Sequence, residues 1–275
     1  MQRLDISCLV ALLLLGSLSS SVPRAQGLAQ AEETPCGPNC AVISGDGTDS
    51  ASPPYFLQAL QNDSITEIRL TGPRYQLKPS AWADYGSGNM FVLRRNITIH
   101  STYEPLGLMD FQLMERKVLL DAGVTLTFHD IVLQNVRKLG GFGLDFFVGN
   151  EGSQIVLQDV VRVKLACQLP ADVLRSARTY TPVSAAYPNN SVALIPEFCF
   201  TAALNYGEPA EHCFNDAVHF QTFSLISASN DPDAGGQYPG YVLYQQNTTR
   251  VCESPSQRSA SIRMTGMRSC AWPYW

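Results

Sequence analysis

The chain is short of positive charge and has no basic run: 19 Lys and Arg stand against 24 Asp and Glu, for a formal net charge of −5. Nucleic-acid binding needs a basic footprint to meet the phosphates, so that class of function is excluded, and anionic membrane surfaces are disfavoured for the same reason. Beyond the N-terminus, no stretch is long and apolar enough for a membrane helix, which needs about 20 apolar residues. The CxxC redox spacing is missing too, because Cys36-Gly37-Pro38-Asn39-Cys40 has three intervening residues. A structural role is expected for that pair. Gly140-Gly141-Phe142-Gly143 lacks the preceding strand, glycine spacing and following helix of a nucleotide loop, and reads as a flexible excursion. With 45% hydrophobic residues over 275 positions, the chain can still bury a substantial core.

What is present at the N-terminus is an export signature. Arg3 precedes an apolar run over 8–18, and small-residue sites follow at Ala25-Gln26-Gly27 and Ala29-Gln30-Ala31. This reads as a secretory signal peptide over 1–31, cleaved after 27 or 31, with a secreted, extracellular mature protein. Residues 32–52, rich in Gly, Ser, Asp and Pro, read as a leader or linker. Removing the signal leaves Cys36, Cys40, Cys167, Cys199, Cys213, Cys252 and Cys270. In an oxidising compartment disulfides are the default, so three bridges and one leftover thiol are expected, among about 105 connectivities. Acceptor sequons at Asn62, Asn96, Asn189 and Asn247 point to a glycoprotein.

The strongest pattern is an echo at a spacing of 29 residues: Glu67-Ile68-Arg69-Leu70-Thr71, Asn96-Ile97-Thr98-Ile99-His100, Thr125-Leu126-Thr127-Phe128-His129 and Gln154-Ile155-Val156-Leu157-Gln158. One apolar column reads Ile68, Ile97, Leu126, Ile155, and the other reads Leu70, Ile99, Phe128, Leu157. Period-two alternation repeated at constant spacing is the mark of one strand type stacked turn upon turn. Met90, Leu119 and Val148 share the spacing, and Asp121-Ala122-Gly123 matches Asn150-Glu151-Gly152 as a turn. Ahead of the repeats, Tyr55-Phe56-Leu57-Gln58-Ala59-Leu60 after Ser52-Pro53-Pro54 reads as a short capping helix with proline in its first turn.

This helix, followed by Ile68-Arg69-Leu70, a glycine turn at Gly72, Tyr75 and a second strand, resembles the opening of the pectin-lyase-like, right-handed parallel β-helix superfamily. The resemblance covers 53–165 and implies a mainly β fold: a short parallel β-helix of about four coils. A cysteine-rich, loop-rich C-terminal cap or module is expected over 166–275, because the columns fail at Ser184 and Ala186.

Register makes chemical expectations. One outward column reads Thr71, His100, His129, Gln158 and the adjoining corner column Gly72, Ser101, Asp130, Asp159. Close carboxylates can form an acid/base pair or a cation site, while Asp at a corner commonly caps backbone amides. Arg162-Val163-Lys164 resembles the Arg-x-Lys element with which polygalacturonases hold substrate carboxylates, but the Asn-Thr-Asp, Asp-Asp and Gly-His-Gly elements are missing. No catalytic residue is therefore assigned; Asp130, Asp159, Arg162 and Lys164 stand as the weak candidates, with Val161 and Val163 expected inward and Arg162 outward. For metal, none is assigned, with His100 and His129 as weak candidates, and no cofactor is implied. His212, Cys213 and His219 suggest zinc only if Cys213 is reduced. Asp231-Pro232-Asp233-Ala234-Gly235-Gly236 holds a fragment of a calcium loop, and Trp272-Pro273-Tyr274-Trp275 could stack on sugars.

Two functions remain. One is a secreted, non-catalytic cell-surface, wall or matrix protein binding polysaccharide or a cell-surface protein. The other is a polysaccharide lyase or glycoside hydrolase acting on acidic polysaccharide. They are discriminated by whether Asp130, Asp159, Arg162 and Lys164 converge on one face.

Overall fold

The computed structural model describes residues 35–44, 55–86, 88–138, 141–165, 167–183, 189–204, 208–227 and 240–253. The signal peptide, Gly140, Ser184, Ala186, the calcium-loop fragment at 231–236, Cys270 and the C-terminal tryptophans lie outside these residues. The chain divides into two units, Met1–Pro35 and Cys36–Trp275. The second unit is mainly β. In order come β1 (Cys40–Ile43), helix α1 (Tyr55–Gln61), β2 (Glu67–Leu70), β3 (Arg74–Gln76), β4 (Phe91–Leu93), β5 (Ile97–Ser101), β6 (Leu108–Asp110), β7 (Val118–Leu120), β8 (Thr125–Gln134), β9 (Phe147–Gly149) and β10 (Gln154–Lys164). Then come α2 (Pro170–Thr179), β11 (Ser191–Ala202), β12 (Ala210–Ser227) and β13 (Tyr241–Cys252).

The strands pair in three parallel runs: β1-β2-β5-β8-β10-β13, β3-β6-β8 and β4-β7-β9. Alternation explains the first run. Ile97 pairs with Leu126 and Leu126 with Ile155; Ile99 pairs with Phe128 and Phe128 with Leu157. All six, with Ile68 and Leu70, are at most 1% exposed. Each such side chain contributes about 1.5–3 kcal/mol through burial. The first strand enters out of step, since Ile68 pairs with Ile99 and Leu70 with Ser101, two residues from the expected partners. A two-residue slip preserves which face each side chain takes, so the core survives it. The first strand of the third run slips likewise: Val92, not Met90, opposes Leu119.

The stretch read as a linker supplies β1, whose Ala41 pairs with Ile68 and extends the first run. Helix α1 buries Phe56, Leu57, Ala59 and Leu60. The end of the helix and the turn after it are held by Arg95, which donates to Ala59 O at 3.0 Å, Asn62 O at 2.6 Å and Ile65 O at 2.7 Å. A guanidinium with its several donors is well suited to carbonyls converging at and after a helix end.

Beyond β10 the chain is not loop-rich among the described residues. β11 and β12 form a long antiparallel hairpin, β12 pairs antiparallel with β13, and β13 pairs parallel with β10, so that Ile155 meets Leu243 and Leu157 meets Gln245. The hairpin covers the outer face of the stack, where Phe200, Ala202, Leu204 and Ala217 pack with Leu108, Val132, Val161 and Val163. Arg74, ion-paired with buried Asp110, reaches across to Ala203 O at 2.9 Å. Disulfides join Cys36–Cys40, Cys167–Cys252 and Cys199–Cys213. The second closes the whole α2–β13 excursion, and the third staples directly opposed residues of β11 and β12.

Candidate functional site

β8 and β10 each bend sharply in mid-strand, and the bend decides where the candidate residues go. Asp130 and Asp159 adopt left-handed backbone, with φ of 48° and 53°, and Asn247 does the same in β13 at 48°. Asp and Asn tolerate this region better than other non-glycine residues, which accounts for their place at the corner. The three stack in register between the first and second arms of their strands. Asp159 accepts a hydrogen bond from Asn247 Nδ2. His129 lies 2.9 Å from Asp130 through Nδ1 and 3.6 Å from Asp159 through Nε2. One ligand atom from each of His129, Asp130 and Asp159 falls within a 4.8 Å cluster. The cluster could meet a cation, but it is partly exposed and Asp159 is already bonded to Asn247.

The histidine column is half as expected. His100 and His129 are register partners, yet His100 turns to Glu67 Oε1 at 2.8 Å, away from the corner. Glu67 also accepts from Arg69 Nε at 2.6 Å, and Arg69 followed by His100 holds its carboxyl below the ordinary range. Arg69, not Thr71, stands opposite His100.

Arg162 and Lys164 point the other way from the expected one. A single left-handed residue at Asp159 resets the alternation, so Val160, Arg162 and Lys164 face the interior while Val161 and Val163 face the hairpin. Arg162 is 0% exposed and Lys164 1%. Arg250, opposite Arg162 on β13, is 3% exposed. Arg162 donates to Gly143 O at 3.0 Å and Gln245 Oε1 at 3.3 Å; Lys164 and Arg250 donate to Gly141 O at 3.4 and 3.3 Å. The glycine segment expected to be a flexible excursion is therefore a packed cover, with Phe142 against Phe220 and Phe223. Gly143 has no room for a Cβ, which would meet Ser227 Oγ at 2.3 Å.

Burial is the leading cause of the electrostatic perturbation here. It pushes Arg162 down to about 9, Lys164 to about 6 and Arg250 to about 10, with Arg250 the next cause for both β10 cations and Arg137 for Arg250. Asp145 is raised by burial against the pull of Arg137, which it meets at 2.7 Å. Tyr241, donating to Leu144 O at 3.1 Å, is raised by burial too.

The remaining candidates are dispersed. Cys213 is oxidised with Cys199, His212 contacts Ala202 O at 3.2 Å and His219 contacts Thr249 Oγ1 at 3.1 Å, so the suggested zinc set is not assembled. Asn62, Asn96, Asn189 and Asn247 are all exposed. Arg250 and Gln245 were not anticipated from the sequence. Their signal was an Asx followed three residues later by Arg, at Asp159 and Arg162 and again at Asn247 and Arg250. No family model, curated protein or solved structure matches the chain.

Proposed function

We propose that this is an exported, non-catalytic protein of a cell surface, wall or matrix. Its frame is a short right-handed parallel β-helix of the pectin-lyase-like kind, of about four coils, with α1 capping its N-terminal end. The observation that carries the reading is the separation of the four candidate residues. Asp130 and Asp159 sit at a solvated corner, while Arg162 and Lys164 lie in the interior. An active site on an acidic polysaccharide would need them around one substrate, and fold alone confers no activity.

The binding surface we infer is the outward face of the first run. In register it reads Arg69, His100, His129, Gln158, Gln246 beside Glu67, Thr98, Thr127, Val156, Tyr244. Rungs about 4.8 Å apart present hydrogen-bonding groups and one aromatic ring on a flat, rigid strip. Such a strip suits an extended carbohydrate, whose hydroxyls recur along the chain and whose ring faces stack on Tyr.

The test uses the secreted, oxidised protein on a panel of acidic and neutral polysaccharides, with calcium and with chelator. Retention without product release is expected, and Tyr244→Ala should weaken retention by about 3- to 10-fold. Chain cleavage that disappears in a folded Asp130→Ala/Asp159→Ala variant would overturn the proposal in favour of a lyase or hydrolase at the corner.

A further inference from the structure

The second arms of β10 and β13 extend the second run beyond β8, and there the chemistry of its interior changes. The column that reads Met109 and Leu133 continues as Arg162 and Arg250. With Lys164, three basic side chains at most 3% exposed share this end of the core. The carboxylate beside them, Asp145, is engaged with Arg137. Among the described residues, the backbone carbonyls of Gly141 and Gly143 orient Arg162 and Arg250 but carry no net charge to offset them. Two guanidiniums on directly opposed residues repel in a medium where water cannot screen them.

The orphaned atoms identify the missing chemistry. In this cluster Arg162 Nε, Arg250 Nη2 and Gln245 Nε2 are buried with no hydrogen-bond partner among the described residues. All three are donors. Buried donors without partners are costly, and a group that satisfies several at once must accept only. A water molecule could accept a bond but would leave the charge unbalanced. An anion does both, and a guanidinium fork matches an oxyanion in shape.

We propose that the C-terminal end of the core binds one small inorganic anion, held by Arg162, Arg250 and Gln245 beneath the cover formed by Gly141, Phe142 and Gly143. The site is internal and separate from the outward strip proposed for carbohydrate, so it stands whether or not that strip binds sugar. Its role is to complete a core that the sequence has built with excess positive charge.

The experiment is thermal unfolding of the oxidised mature chain at pH 7 and constant ionic strength, with a bulky organic sulfonate as background anion exchanged for sulfate, phosphate or chloride. The proposal expects saturable stabilisation by at least one of the three, with Tm rising on the order of 5 °C at a hundredfold excess over the dissociation constant. The arm that saturates at the lowest concentration tells oxyanion from halide. Arg250→Met removes a donor and a charge while keeping much of the volume. This variant should fold, unfold at a higher temperature than wild type in the sulfonate background, and lose the saturable response. A non-saturating rise common to wild type and Arg250→Met is the general salting-out effect, and that outcome would overturn the proposal. An absence of response in all three arms would overturn it equally. Should the variant fail to fold, phosphorus NMR of inorganic phosphate decides: line broadening by native wild type and none by the heat-unfolded chain supports the site, and equal linewidths refute it.

Discussion

Lys164→Met tests the buried cation cluster through its dependence on pH. Burial first, then Arg250, Arg162 and Arg137, lowers the Lys164 ammonium from its ordinary 10.5 to about 6, with Asp145 partly opposing them. The folded pKa is the lower one. Between about 6 and 10.5 the unfolded chain therefore holds a proton that the folded chain has released, and stability rises with pH across that window. Each pH unit is worth at most about 1.4 kcal/mol. Integrated over the window, the full shift makes Lys164 cost the fold at most about 5 kcal/mol at pH 7 and about 2 kcal/mol at pH 9. Methionine cannot titrate and keeps the unbranched stem. The packing difference between the two side chains is independent of pH, so the change in the variant's advantage isolates the ionisation. Urea unfolding of both proteins at pH 7, 8 and 9 in the sulfonate background should show the advantage of Lys164→Met shrinking by about 3 kcal/mol over that range. Arg250, at about 10, stays largely protonated over this range, and any titration of Arg162, Asp145, Tyr241 or His219 common to both proteins cancels in the difference. A constant offset across the range would refute the reasoning, because it would mean Lys164 carries its proton inside the fold at no cost.

Two further perturbations probe the frame. Arg95→Ala removes a guanidinium that serves three carbonyls at the end of α1 and in the turn after it, and should lower unfolding stability by about 2–3 kcal/mol; Asp63→Ala, which deletes only the exposed ion-pair partner, should leave the urea midpoint unmoved. Replacing Cys167 and Cys252 by alanine opens a loop of sequence separation 85, worth about 4–5 kcal/mol of unfolded-chain entropy, against about 3 kcal/mol for Cys199 and Cys213 at separation 14; the reverse order in urea titrations would show that the short bridge holds structure that the long one does not.

The parallel stack was legible because its inward residues are apolar and regularly spaced. Ile97, Leu126 and Ile155 announce one another, and the turns at Gly123 and Gly152, with φ of 73° and 74°, repeat with them. Strand β13 was not legible. It returns to the stack after α2 and the hairpin, and the position under Leu157 is Gln245, so its inward residues do not form an apolar column. β11 and β12 stayed hidden because much of the hairpin is exposed and only Ala217, Val218, Phe220 and the stretch from Phe223 to Leu225 make a buried pattern in β12. The slip of β2 against β5 is invisible in principle to a two-residue period, since either register buries Ile68 and Leu70.

The fate of Arg162 and Lys164 shows why the site was harder to read than the fold. Alternation counted straight through β10 puts Val161 and Val163 inside and the cations outside, where they would sit beside Asp159 as a surface cluster able to meet an acidic sugar. One left-handed residue reverses the count. After Asp159 the even-numbered positions turn inward, and the odd-numbered valines become a second apolar face that needs a cover. The hairpin, fastened by Cys167–Cys252, supplies that cover, and β13 brings Arg250 into the core at the same stroke. The hairpin, the disulfide and the buried cations are thus consequences of one corner. Asp159→Gly should accordingly be tolerated, because glycine keeps φ positive. Asp159→Val should be poorly tolerated even though the side chain is largely outside the core, because a β-branched residue resists the left-handed conformation. If valine there folds as well as glycine, by circular dichroism and urea midpoint, the corner does not set the parity of β10 and the link drawn between backbone and buried charge fails.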